Sequence, residues 1–143
     1  MYFPSLLAPL LRTLLTLTNL SATQPEVIIS YKIRSLPKEA PFWSAFGLWF
    51  TYEPVLVRRT PPSDGVHGSS TQWERFGATW DGPTFVFVAR RRAESLRGWD
   101  VPDDDDELLA GVGAQGTASR KGDGTFETLL FMSMQAIEED AEP

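Results

Sequence analysis

Tyr31, Lys32 and Arg34 are the residues of this chain best placed to hold a ligand. They follow Val27, Ile28 and Ile29, an uninterrupted β-branched run of the kind expected of a strand covered on both faces. Polar groups at the C-terminal end of such a strand lie where open α/β sheets bind their ligands. Pro37 and Pro41 punctuate the next turn, and Phe42, Trp43, Phe46, Trp49 and Phe50 then recur at helical spacing. Tyr31 also reads as an ordinary half-buried strand residue, and Arg34 as one half of a surface ion pair.

Other chemistries find little to work with. The chain has no cysteine, which removes disulfides, thiolate metal sites and cysteine nucleophiles. Its one histidine, His67, stands among Gly65, Gly68, Ser69 and Ser70 and reads as a solvated loop residue. Asp103 to Glu107 is an unbroken acidic run; a calcium loop needs alternating ligands and a placed glycine, so a solvated linker is expected. Gly111, Gly113 and Gly116 spell a literal GxGxxG. No strand precedes it, no clear helix opens on its last glycine, and no acidic residue follows a second strand, so it reads as a flexible loop. No metal site and no cofactor-binding residue is expected.

Charge divides the 143 residues unevenly. Residues 1–93 carry ten Lys and Arg against six Asp and Glu, and residues 94–143 carry three against thirteen, which together make the net −6. The acidic part argues against nucleic acid as a partner, while the basic part could attract an acidic partner or the chain's own tail.

These residues need elements to position them. Leu6, Leu7, Leu10, Leu11, Leu14 and Leu15 form a one-sided stripe, which predicts a helix over Ser5–Leu17 with Ser5 as N-cap and Pro9 in the first turn. The stretch shares an apolar run and small residues at Ser21 and Ala22 with secretory signals. However, no positive residue precedes the run and Arg12 interrupts it, and it is too short for a membrane span. A cytoplasmic protein is expected. The central strand follows over Glu26–Ile33, then a helix over Glu39–Phe50 and a second strand over Tyr52–Arg59 with Pro54 near its start. Pro61 to Gly82 reads as a long polar insertion carrying Trp73, Phe76 and Trp80. Thr84–Arg90 is the third strand. Phe126, Leu129, Leu130, Met134 and Ile137 mark a last helix after Asp123, Gly124 and Thr125, with a frayed end. The expected architecture is α/β: a three-stranded mixed sheet in the order central, third, second strand, covered by two helices. Residues 1–93 form its domain, and residues 94–143 an acidic tail with a glycine-rich loop and a helix.

Tyr2–Phe3 with SLLAPLLRTLL, then VIISYKIR, APFWSAFGLWF and TFVFVARRR, resembles the C-terminal half of the seven-β-strand protein-lysine methyltransferases, methyltransferase family 16, and among them the fungal members that modify translation factors. The likeness runs from about Met1 to Arg92. It implies a Rossmann-like sheet of order 3-2-1-4-5-7-6 that uses S-adenosylmethionine to methylate lysine side chains of a protein such as a translation factor. Tyr2 matches the closing tyrosine of the family's Asp-x-x-Tyr pattern, Tyr31 and Arg34 match a tyrosine and arginine at the end of strand 5, and Phe42 and Trp43 match an aromatic pair on the following helix. The resemblance thus implies Tyr2, Tyr31 and Arg34 as substrate-binding residues, and assigns no catalytic one. An aromatic-lined channel of that kind would keep the lysine neutral and aligned. The pattern's aspartate and strands 1 to 4, which hold the cofactor, would precede Met1. The chain alone is therefore expected not to bind the cofactor and to be inactive by itself. The alternative is a non-catalytic remnant that binds proteins. In either case the central strand would present an open edge, prone to self-association.

Overall fold

The structure, a computed structural model, describes residues 4–19, 22–59, 72–77 and 84–141, and of residues 59, 72 and 134–141 the backbone alone. The expectations placed on Tyr2, His67, Trp80 and most of the insertion, and on the side chains of Met134 and Ile137, lie outside that set. A 3-10 turn at Pro4–Leu6 leads into α1 (Leu7–Asn19). Then come β1 (Glu26–Lys32), α2 (Leu36–Trp49), β2 (Phe50–Pro54), β3 (Leu56–Arg59), β4 (Gln72–Arg75) and β5 (Thr84–Arg91). A short α3 (Asp105–Leu109) and a longer α4 (Thr125–Ala141) complete the chain. The fold is mixed α/β. Among the described residues no helix is long and apolar enough to cross a membrane.

The three-stranded sheet has the order β1-β5-β2, the expected sequence of central, third and second strand. It is not mixed, however: both pairings are antiparallel. The reason is the connection through α2, which brings β1 and β2 into the same direction with a vacant lane between them. The returning chain fills that lane as β5 and opposes both neighbours. The expected second strand also splits. Phe50–Pro54 stays in the sheet, whereas Leu56–Arg59 peels away after Val55 to pair with Gln72–Arg75 in a separate two-stranded ribbon. Proline lacks an N–H for the ladder, and Pro54 falls at the break.

The central strand is not covered on both faces. Along β1 exposed and half-buried residues alternate, with Val27, Ile29 and Tyr31 turned inward and Ile28 68% exposed on the outer face. An unbroken β-branched run cannot reveal this, because the pleat alone sends alternate residues to opposite faces. The strand buried on both sides is β5, where Thr84, Phe85, Val86 and Phe87 are all buried.

Helix α1 turns Ala8, Leu11, Leu15 and Thr18 inward, while Leu6 and Leu10 remain exposed, so the buried stripe is narrower than the leucine pattern suggests. Ser5 lies within the opening 3-10 turn and not at a cap. Helix α2 begins one turn before Glu39, since Pro37 sits in the first turn, where a missing N–H costs nothing.

Trp43 on α2 is the hub of the core. Its ring lies 5.0 Å from Tyr31, 5.1 Å from Phe87, 5.5 Å from Tyr52 and 5.3 Å from Phe126, centroid to centroid. Phe126 belongs to α4, and Leu108 of α3 joins the same cluster, so residues from both sides of the expected 93/94 boundary share one core. The acidic run is more than a linker. The Asp104 carboxylate accepts from the Glu107 N–H and caps α3, and Asp105 pairs with Arg12 of α1 at 2.9 Å.

Truncating Trp43 removes contacts to four other elements at once. Trp43→Ala is expected to cost about 3–5 kcal/mol, whereas Ile28→Ala on the exposed face should stay within about 0.5 kcal/mol. Urea melts of the two variants beside the parent check this, and coincident Trp43→Ala and parent curves would remove Trp43 from the centre of the core.

Candidate functional site

The end of β1 and the start of α2 are tied by one carboxylate. Glu39 is 1% exposed. Its oxygens accept from the Tyr31 hydroxyl at 2.5 Å, from the Arg34 N–H at 3.0 Å and from the Ser35 N–H at 3.3 Å. Ser35 is the N-cap of α2, so Glu39 reaches back from the first turn to backbone donors that the helix leaves without partners. The carboxylate stands beside the positive end of α2, where an acceptor of N–H groups is well placed. Its acceptor positions are spent on structure.

Tyr31 thus sits at the expected end of the strand, half-buried, with its ring edge-on to Trp43 and 5.8 Å from Phe126. With its proton committed to Glu39, the Tyr31 oxygen acts toward any further group as an acceptor. Arg34 contributes its backbone N–H to the same cluster while its side chain is exposed. Phe42 and Trp43 are both buried and stand edge to face at 5.1 Å. The structure therefore brings Tyr31, the Arg34 backbone and Trp43 together.

A second site was not legible in the sequence. Beside α2 lies an open cleft of about 350 Å³, with Gly47, Arg92, Glu94, Trp99, Gln115 and Asp123 in its walls. Arg92 donates through Nε and Nη2 to the Gly47 carbonyl at 3.1 and 2.9 Å. The Asp123 carboxylate caps α4 by accepting from the Thr125 N–H at 3.0 Å. Asp123 comes so close to α2 that any Cβ at Gly47 would strike it, so only glycine permits this docking. The cleft offers a guanidinium, two carboxylates and an indole, and could hold a small polar ligand of mixed charge. Tyr52 lies nearby with its hydroxyl buried and without a hydrogen-bond partner among the described residues. Burial raises its pKa, and the charges of Asp123 and Glu127 raise it further, so it stays a neutral phenol.

One further charged group is buried beside the sheet. Arg91 is 6% exposed and points inward from β5. It donates to Ser95 Oγ at 2.5 Å, to the Leu15 carbonyl at 3.0 Å and to Thr18 Oγ1 at 2.9 Å. It also lies 5.5 Å from the centre of the Trp49 ring. Burial lowers its pKa, but an arginine remains charged, and here it meets the negative end of α1. Strand alternation could have found it, since Phe85, Phe87, Ala89 and Arg91 share one face.

The glycine-rich stretch is not flexible packing material. Gly111, Gly113 and Gly116 all have positive φ. Their N–H groups donate to the Leu108, Thr117 and Gly113 carbonyls. Carbonyls of Gly111, Ala114 and Ser119 converge on the Lys121 ammonium at 3.1, 2.9 and 2.8 Å. An anion cradle needs the opposite polarity, with N–H groups turned toward the ligand. Among the described residues no cluster of three His, Cys, Asp or Glu side chains could hold a metal.

Comparison of the chain with protein-family models, with curated proteins and with solved structures returns no match.

The Glu39 cluster makes a sharp energetic statement. Glu39→Gln keeps the shape but replaces one acceptor with a donor facing N–H groups, and should cost about 1–3 kcal/mol. Thermal or urea melts measure it. A variant as stable as the parent would mean the carboxylate does not organise the β1–α2 junction.

Proposed function

We propose that this chain is the substrate-side half of a protein-lysine N-methyltransferase of the S-adenosylmethionine-dependent, Rossmann-like class, acting in the cytoplasm on a protein such as a translation factor. The observation that carries this reading is the sheet order. The order β1-β5-β2 corresponds to the 5-7-6 end of the family's 3-2-1-4-5-7-6, with the crossover helix α2 joining the strands that would be 5 and 6. In this assignment Tyr31 closes strand 5, and the half-buried tyrosine with Trp43 behind it supplies an apolar wall for the aliphatic stem of a lysine. The Tyr31 oxygen would accept from the lysine nitrogen, and the exposed Arg34 would meet acidic residues flanking the target.

The glycine-rich stretch of this chain does not fit the cofactor. Its glycine N–H groups are already hydrogen-bonded, its carbonyls enclose Lys121, and a Cβ at Gly113 would strike the Asp100 carbonyl, so the backbone has no open face there. In this reading the glycine-rich stretch takes no part in holding the methyl donor. The second reading, a non-catalytic protein-binding module, is favoured by the bare outer face of β1 with Ile28 exposed on it.

The reading frame upstream of Met1 supplies the test. It should place an aspartate at the head of the Asp-x-x-Tyr pattern that Tyr2 closes, and a glycine-rich strand–turn further upstream. The extended protein should transfer methyl groups from S-adenosylmethionine to lysine side chains and lose this on Tyr31→Phe or Arg34→Ala. The 143-residue chain, titrated calorimetrically with the cofactor, should give no saturable heat. An upstream frame without these features, or an extended protein that methylates no lysine, would leave the binding module as the function.

A further inference from the structure

The cleft beside α2 collects charges that the fold leaves unspent. Arg92 donates to the Gly47 carbonyl through Nε and Nη2, and so commits one edge of its guanidinium to the last turn of the helix. The group is planar, so its remaining donors, both on Nη1 and the second on Nη2, point away from that carbonyl. Asp123 is fixed by its N–H on the Ser44 carbonyl and by its Oδ2, which accepts from the Thr125 N–H. Among the described residues Asp123 Oδ1, the Glu94 carboxylate, the Gln115 amide and Arg92 Nη1 have no hydrogen-bond or ion-pair partner, although all four residues line one cleft. Gln115 reaches it from a left-handed backbone, φ 60°, a conformation uncommon for a residue with a Cβ. Trp99 adds an indole, held edge-on by Trp49 at 5.4 Å between centroids.

The cleft stands apart from the Tyr31 end of the sheet. Tyr31 faces Phe85 near the start of β5, whereas Arg92 follows the last residue of β5. The Arg92 backbone N–H bonds the Trp49 carbonyl, on the β2 side. A strand added beside β1 lies across β5 from it, so the cleft does not depend on the catalytic reading.

We propose that this cleft binds a free dibasic α-amino acid, of the lysine or arginine kind. Its walls present one positive and two negative charges, and the matching small molecule carries one negative and two positive groups. The α-carboxylate takes the open edge of Arg92, where a guanidinium and a carboxylate form paired N–H···O bonds. The two cationic groups go to Asp123 and Glu94. The aliphatic stem lies on Trp99, whose ring face also attracts a cation. Other ligand classes fit less well. A phosphate or nucleotide brings several negative charges to two carboxylates, and an apolar ligand finds chiefly Leu48 and Trp99. At about 350 Å³ the cleft is at the small end of ligand sites, the size for one amino acid. It is open to solvent, so its charges are screened and binding is weak, on the order of millimolar.

The test is a titration of the isotope-labelled full chain with L-lysine, followed by backbone amide and Trp99 indole shifts at constant pH and ionic strength. Saturable shifts should cluster at Gly47, Arg92, Glu94, Trp99, Gln115 and Asp123. Glu94→Gln changes a side chain with no partner among the described residues, and should weaken binding roughly tenfold with the urea melt unchanged. Arg92→Lys keeps a donor for Gly47 but loses the fork, and should weaken lysine binding by a similar factor. Lysinamide, which has no carboxylate, should bind the parent about as poorly as lysine binds Arg92→Lys, and should not distinguish the two proteins. L-Glutamate and L-leucine should not saturate. The ligand series and Glu94→Gln decide the matter even where Arg92→Lys does not fold. Absence of saturable shifts at tens of millimolar lysine would overturn the proposal, as would shifts centred elsewhere on the chain. So would lysinamide, glutamate or leucine binding as lysine does, or a folded Glu94→Gln that binds like the parent.

Discussion

The structure depends on one indole. Trp43 is the side chain through which α2 grips the sheet, via Tyr31, Tyr52 and Phe87, and through which α4 is held, via the stacked ring of Phe126. Aromatic pairs of this kind contribute roughly 0.5–1.5 kcal/mol each beyond the area they bury. Their geometry also restricts where the partners can sit. Phe46 extends the stack to Phe50 at 4.6 Å, so the helix and the first strand residue after it turn as one unit. The close approach of Asp123 to Gly47 uses the same helix one turn later. Helix α2 is therefore the post against which both the sheet and the C-terminal segment are set.

Around this apolar post the buried and half-buried charges follow a common rule. Glu39, Arg91 and Lys121 are each satisfied by backbone groups, hydroxyls or both, and none by an opposite charge among the bonds described above. Glu39 gathers N–H groups at the start of α2, Arg91 collects oxygen acceptors at the end of α1, and Lys121 collects carbonyls from the glycine-rich turn. A single buried charge is costly unless its hydrogen bonds are met, and meeting them with backbone groups fixes where the chain ends of helices and turns lie. These three residues act as clamps.

The polarity of the sheet carries the functional argument. One face is packed by Trp43 and its neighbours; the other leaves Ile28 in water, with Glu26, Ser30 and Lys32 around it. The strand end bearing Tyr31 belongs to these same seven residues, so anything that orders β1 also orders the Tyr31–Glu39 junction.

The sequence by itself determined where the three strands of the main sheet and the three longer helices lie, and that an aromatic helix stands behind the central strand. The apolar patterns of residues 26–33, 42–50 and 84–90 report local geometry, and local geometry is set by neighbours in the chain. It also suggested the order of the three strands, through the likeness of VIISYKIR, APFWSAFGLWF and TFVFVARRR to a known arrangement. Which face of each strand is wet was decided only by tertiary packing. Ile28 and Phe87 are both apolar strand residues, yet among the described residues β5 lies between two neighbours and β1 has one. The break at Val55, which sends Leu56–Arg59 into a second sheet, depends on a partner some fifteen residues away. Glu39, Lys121 and the cleft at Asp123 were invisible for the same reason. Their meaning comes from backbone groups and side chains brought in from distant segments, and a charged residue met singly in a sequence carries no sign of the donors or acceptors it will find.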